Sequence, residues 1–222
     1  VCSEGGPATC ISARFNFEDA GSTTGTAIGT LTGIVGAQVT RVPGYTGKAF
    51  RLAPNQGLAG GVDFGNAGNF GTDDFTFMFW AKTTSTVFTD VLGNRSAGSH
   101  GNFIQVRFLT DGSYGVEIDQ DGAGTNYAAT GTQAGLNDGQ WHHIAVVREG
   151  VNLRIYADGV QAGTAASAGV TNVNNANPFL LGASPRPGVN AVFDGTIDEL
   201  RVYRGALPAS EIALVDSACD PL

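Results

Sequence analysis

Short runs in which apolar and polar residues alternate recur along this chain, and turn-forming residues separate almost all of them. In Ile11 to Phe17 the apolar residues Ile11, Ala13, Phe15 and Phe17 fall on every second position, the period of a strand buried on one face. The same reasoning predicts strands at Gln38 to Val42, Ala49 to Leu52, Phe75 to Lys82, Asp90 to Gly93 and Phe103 to Leu109. It predicts others at Tyr114 to Asp119, Trp141 to Arg148, Asn152 to Ala157, Phe179 to Gly182 and Thr196 to Tyr203. Asp111-Gly112 and Asp158-Gly159 are tight-turn signals joining antiparallel neighbours. One helix is expected from Pro208 to about Val215, with proline in its first turn. Asp19 to Thr26 and the glycine-rich Gly57 to Gly71 read as loops, and because no helix follows the second it makes a poor phosphate cradle. Many short strands and one terminal helix describe an all-β antiparallel sandwich.

In the last predicted strand, alternation sets Asp198 with Leu200 and Val202 on the inward side, and Ile197, Glu199, Arg201 and Tyr203 on the other. An inward carboxylate must be paired, hydrogen-bonded or bound to a metal.

Sandwiches of 222 residues commonly form a single unit. The expected organisation is therefore a leader or linker at residues 1–10, which carries cysteines, and one sandwich domain over 11–222. A hydrophobic fraction of 42% supplies a sizeable core and excludes global disorder. A net charge of −8 with only two lysines argues against nucleic acid and anionic membrane as partners. No apolar run approaches the roughly 18–20 residues that span a bilayer, so membrane insertion is not expected. Val1 does not open a secretory signal, and the chain reads as a processed or excised piece. Cys2, Cys10 and Cys219 sit at the ends, which suits a terminal staple better than a metal cluster or a catalytic thiol. Cys10 to Cys219 and Cys2 to Cys10 are both open as pairings, and either implies an oxidising, secreted or extracellular setting. The odd thiol suggests a larger multidomain secreted protein.

Three segments in order carry a family pattern: Phe75-Thr76-Phe77-Met78-Phe79-Trp80, then Gly139 to Arg148 leading into Leu153 to Gly159, then Phe193 to Leu207 with Glu211-Ile212. Together they resemble the laminin-G-like jelly-roll modules of the concanavalin A-like lectin and glucanase superfamily, over about Arg14 to Val215. The resemblance implies a two-sheet antiparallel jelly roll whose first and last strands are adjacent. It also implies one of three roles found in that superfamily: adhesion domain, carbohydrate-binding module or glycan-cleaving enzyme.

That topology would set Glu18 and Asp19, after the first strand, beside Asp194 and Asp198, which flank the last. Oxygen ligands of this kind suit Ca²⁺, and a structural calcium near the chain ends is the cofactor the resemblance implies, with Asp198 first and Glu18 second as ligands. The alternative is that Asp198 accepts backbone hydrogen bonds and Asp194 makes a turn with Gly195. Asp119-Gln120-Asp121-Gly122 has alternating acidic spacing but lacks the distal glutamate of a calcium loop, and it reads as a solvated turn. Glu117-Ile118-Asp119 resembles the start of the Glu-x-Asp-x-x-Glu strand of the β-glucanases, yet Gly122 stands where the second catalytic glutamate would be. Retaining glycosidases need two carboxyls about 5 Å apart, so no catalytic residue is assigned. His142 and His143 point to opposite faces of a strand and cannot share one ion.

Sugar recognition combines an aromatic face with planar polar groups. His100, Asp121, Asn126 and Tyr127, in or beside polar loops, are the candidate ligand-binding residues, while Trp80 and Trp141 read as core. The functional expectation is a secreted, non-catalytic carbohydrate-binding (lectin-like) or adhesion module that takes a glycan or cell-surface ligand. Its rivals are a polysaccharide hydrolase or lyase and a structural protein-adhesion spacer.

Overall fold

The computed structural model describes residues 10–25, 31–95, 100–121, 126–167, 169–170, 172–184 and 193–217, with the backbone alone at 10–12, 121, 126–129 and 215–217. The strands are β1 (Cys10–Phe15), β2 (Thr23–Gly25), β3 (Thr32–Val35), β4 (Thr40–Pro43), β5 (Lys48–Arg51), β6 (Val62–Asp63), β7 (Phe75–Lys82) and β8 (Thr89–Gly93). They continue as β9 (Gly101–Phe108), β10 (Tyr114–Asp121), β11 (Asn126–Thr130), β12 (His142–Glu149), β13 (Asn152–Ala157), β14 (Val160–Ala166), β15 (Leu180–Leu181) and β16 (Thr196–Arg204). One helix, α1 (Ala209–Ser217), follows.

Two eight-stranded antiparallel sheets form. The first runs β14-β13-β12-β7-β16-β5-β4, with β1 also on β16, and the second runs β11-β10-β9-β8-β15-β6-β3-β2. This is the expected jelly-roll sandwich. Its core comes from one alternating phase of each sheet: Phe75, Phe77, Phe79 and Ala81 of β7 pack with Ile104, Val106, Phe108, Val116 and Ile118 of β9 and β10. On the opposite side of the first sheet, Met78, Ala145, Val147 and Tyr156 form a smaller cluster with Leu207 and Ile212, so α1 covers that half of the face. Among the described residues no helix is long and apolar enough to cross a membrane.

The expected alternation fails within β16. Asp198 pairs with Trp80 but Arg201 with Met78, so one extra residue is accommodated between them, and Glu199 takes φ 51°. Ile197, Leu200 and Val202 all reach the inter-sheet core, whereas Asp198 lies opposite Trp80 on the other face and not beside Leu200. The bulge has a local cause. β16 pairs with β5 at Thr196 and Ile197 and with β1 from Leu200 to Arg204, and the changeover of neighbours falls at the bulge.

Two more corrections concern polar segments. Asp119-Gln120-Asp121 is the end of β10, with Asp119 fully buried, and is not a solvated turn. Strands β2, β3, β6, β11 and β14 lie in segments read as loops or left unassigned; β2, β3 and β6 are two to four residues long, too short to show a period. Cys2 and Cys219 lie outside the described residues, as does the Cys10 side chain and the leader at 1–9, so the staple and the domain boundary fall outside them too. What is described is that the Cys10 backbone pairs with Arg204, the last residue of β16 and five positions before α1 begins.

Candidate functional site

The polar phase of β9 and β10 lies on the face of the second sheet turned away from the core. Here Glu117 pairs across the ladder with Gln105, Asp119 with Phe103 and Gly115 with Arg107. Cross-strand neighbours on one face interact directly, and the side chains form a connected network. Arg95, just beyond β8, donates to Glu117 Oε2 at 2.8 Å and lies over the Phe103 ring at 4.4 Å. Arg107 makes a second ion pair with the same carboxylate oxygen. Gln105 is fully buried and donates through Nε2 to the carbonyls of Leu92 and Val106, at 3.3 and 3.1 Å. Gly93 opposite it is required by close approach, since a Cβ there would fall 2.3 Å from the Ile104 carbonyl oxygen.

Beside this network, buried Asp119 holds His100. Asp119 Oδ2 lies 3.1 Å from His100 Nδ1 and accepts from the Gly101 amide at 3.2 Å. The imidazole is half exposed, with 52% of its side chain accessible, so a buried carboxylate fixes a ring that solvent can reach. Of the four expected ligand-binding residues, the backbone brings all to one end of this sheet: Asp121 pairs with Gly101, Asn126 with Asp119 and Tyr127 with Ile118. The side chains of the last three lie outside the described residues. Arg95, Gln105 and Arg107 carry no local motif that singles them out in the sequence. Their signal was the shared phase of Phe103-Gln105-Arg107 and Glu117-Asp119, visible only once the two strands are laid in register. The double guanidinium contact on Glu117 is unlike the free carboxylate pair of a retaining glycosidase.

The four carboxylates expected around calcium divide. Glu18 and Asp198 meet at the turn between β4 and β5: Glu18 Oε1 accepts from the Lys48 amide at 2.7 Å, and Asp198 Oδ2 from the Thr46 amide at 3.1 Å. Asp19 instead accepts from the Gly25 amide at 2.7 Å, and Asp194 pairs with Arg51. Among the described residues no group of three or more histidine, cysteine or acidic side chains is arranged to hold a metal ion. Asp198 is fully buried and its carboxyl is pushed up to about 7, chiefly by loss of hydration. Backbone amides of Thr46, Glu199 and Tyr45 oppose that rise, while the negative charge of Glu199 adds to it.

The two adjacent histidines do face apart. His142 Nδ1 contacts Asp158 at 2.8 Å and Nε2 contacts Asp138 at 3.1 Å. Burial works against its charged form, but the two carboxylates outweigh that and hold its pKa above the ordinary value. His143 is buried beside Trp80, and burial with the charge of Arg201 brings it down to about 4. Trp80 is buried as expected, though outside the inter-sheet cluster and under Tyr45, whereas Trp141 is only half-buried, at a right angle to the same Tyr45 ring.

Comparison with known proteins bears on this fold. Residues 55–213 match the sequence model of a laminin-G-type family described as the concanavalin A-like lectin/glucanases superfamily. The structure is similar to the binding domain of Paraclostridial Mosquitocidal Protein 1, with TM-score 0.74 and 16% identity over 93% of this chain and 51% of that one. It is similar to domain 4 of AbnA, a GH43 extracellular arabinanase from Geobacillus stearothermophilus in complex with arabinotriose, at TM-score 0.71 and 18% identity over 92% and 97%. It is also similar to the binding domain of Botulinum Neurotoxin DC in complex with SialylT, at TM-score 0.70 and 14% identity over 95% and 52%. The chain thus spans about half the length of the two toxin binding domains. No curated protein matches it by sequence. At these identities the neighbours share the fold, and function has to be argued from the site.

Proposed function

The chain belongs to the concanavalin A-like lectin/glucanases superfamily, and from that premise we propose that it is a secreted, non-catalytic carbohydrate-binding module whose ligand is a glycan, free or on a cell surface. The observation that carries this reading is the Arg95–Glu117–Arg107 network with the Asp119-held His100 beside it. It offers planar hydrogen-bonding groups, fixed by their neighbours, beside the Phe103 ring. Rigid groups of this kind bind hydroxyls with little loss of side-chain entropy. Structural neighbours described as complexes with arabinotriose and with SialylT support the same reading.

The test is affinity electrophoresis against a polysaccharide panel, scored for retardation and for released reducing ends. Retardation without degradation is expected, and His100→Ala should weaken it about fivefold, the worth of one hydrogen bond. Silence across the panel would remove the proposal, and degradation would turn it into an enzyme.

A structural Ca²⁺ is part of the proposal, with a donor set reduced to Glu18 and Asp198. Both are hard oxygen donors at one turn, and the hydrogen-bond donors on Asp198 are backbone amides, so a cation would supply its missing counter-charge. Excess chelator should lower the melting temperature by roughly 5–10 °C, as expected for losing a ligand held at about a hundred times its dissociation constant. An unchanged melting curve, with no metal on elemental analysis, removes the calcium.

A further inference from the structure

On the first sheet's outer face, beyond the half that α1 covers, three aromatic rings form a right-angled corner. Tyr45 stacks on Trp80 with centroids 3.6 Å apart and planes 11° apart. Trp141 meets Tyr45 at 6.4 Å and 74°. Trp80 is buried beneath, whereas Tyr45 keeps 37% of its surface exposed. Stacking on Trp80 takes one face of the phenol ring, and Trp141 stands at a right angle to it.

The turn that carries Tyr45 is held with unusual care. Gly44 donates to the Gly47 carbonyl at 2.9 Å, closing Gly44-Tyr45-Thr46-Gly47 as a four-residue turn. Asp198 and Glu18 then bind the Thr46 and Lys48 amides. Both glycines are required by that grip: a Cβ at Gly44 would lie 2.5 Å from Asp198 Oδ2, and one at Gly47, which has φ 57°, would lie 2.0 Å from Glu18 Oε1. A fully buried carboxylate is costly in itself. Its effect here is to fix a turn whose one large side chain is an exposed aromatic ring.

A second observation points to a ligand at the same place. His143 is buried, its ring centroid is 5.1 Å from that of Trp80, and its Nδ1 has no hydrogen-bond partner among the described residues. An aromatic corner with an unsatisfied imidazole nitrogen next to it combines the apolar face and polar contact that a sugar ring needs.

We propose that the Tyr45–Trp80–Trp141 corner is a second carbohydrate subsite, one that stacks a neutral sugar ring on Tyr45, separate from the charged network on the other sheet. The proposal rests on the carbohydrate-binding reading above. A neutral sugar follows from the turn itself, because the two side chains that grip it, Glu18 and Asp198, are both acidic. A sialylated or uronic sugar would bring its own carboxylate toward them.

Trp80 and Trp141 are the chain's two tryptophans, so their indole N–H resonances report on this corner alone. The experiment titrates the full chain with arabinotriose and, separately, with a sialylated oligosaccharide, reading both indole resonances and total binding by calorimetry. The expected result is that arabinotriose shifts both indoles, that Tyr45→Ala abolishes the shift and weakens arabinotriose binding about tenfold, and that Tyr45→Phe retains it. His100→Ala, on the opposite sheet, should leave the shift unchanged. The sialylated sugar should leave the indoles still. Binding of arabinotriose with motionless indoles overturns the subsite while leaving the module reading intact. Indole shifts that survive Tyr45→Ala, or that follow only the sialylated sugar, also overturn it. Absence of binding by any route removes both readings together.

Discussion

Replacing Arg148 by methionine is expected to destabilise the fold by about 2–5 kcal/mol, with no change in overall topology, because two loop carbonyls lose their donors. Arg148 sits on β12 in the same phase as Ile144 and Val146, so its stem runs along the core, and the residue is fully buried. At the end of the sandwich its guanidinium donates to the Gly71 carbonyl at 3.1 Å and, through Nε at 3.1 Å and again through Nη2, to the Asp73 carbonyl. It also lies over the Phe75 ring at 5.0 Å. Methionine reproduces the apolar stem, so the loss isolates the head group, which satisfies two loop carbonyls in one planar fork. Lysine should rescue little, because a point charge cannot reach both carbonyls with the same geometry. Urea titration of the two variants checks this, and an unfolding free energy within about 0.5 kcal/mol of wild type, by the usual linear extrapolation, would show that the carbonyls find other partners.

Arg148 also shows where the sequence was legible. Its strand was predicted within one residue, 141–148 against 142–149, because Ile144 and Val146 in one phase and Ala145 and Val147 in the other mark a strand covered on both faces. The strands β7 and β13 agree with prediction over their whole length for the same reason. Nothing local told that the fourth residue in that buried phase of β12 would be a charged one closing the core, since burial of Arg148 depends on carbonyls some 75 residues away in sequence. Asp198 failed in the opposite way. Its burial was legible, but its face was not, because the bulge at Glu199 is forced by a change of neighbouring strand and leaves no mark in the spacing of hydrophobic residues. The candidate site follows the same division. His100 could be singled out from its polar loop, whereas Arg95 and Arg107 acquire meaning only through Glu117 on the neighbouring strand. Tyr45 lies in a short turn, and its role as a platform depends on Trp80, on another strand, turning outward.

That outward-facing region makes the pH dependence of stability the most discriminating measurement on the metal-free protein. Asp198 holds its proton in the folded state up to about 7, against about 3.9 when unfolded, so between those values the folded state binds more protons and stability falls as pH rises. His143 does the reverse. Its folded value of about 4 lies below the unfolded value of about 6.5, so across that interval the unfolded state binds more protons and stability grows with pH. Each contribution is on the order of a few kcal/mol, and over pH 4 to 6.5 they oppose one another. His142, raised by its two carboxylate neighbours against burial, acts in the same sense as Asp198 but only toward the upper end of the range. The wild-type profile from pH 4.5 to 7.5 should therefore be shallow, while single substitutions should tilt it in opposite directions. His143→Phe is expected to be more stable at pH 5 than at pH 7.5 by about 2–3 kcal/mol, and Asp198→Asn less stable at pH 5 by a similar amount. Urea titrations in chelator at a series of pH values read these slopes, so a uniform loss of stability in either variant does not interfere. Profiles that stay parallel to wild type would mean that neither group changes its protonation on unfolding. Adding calcium supplies a control of opposite sign, since the cation proposed at Asp198 would pull its pKa down and remove the tilt seen in His143→Phe.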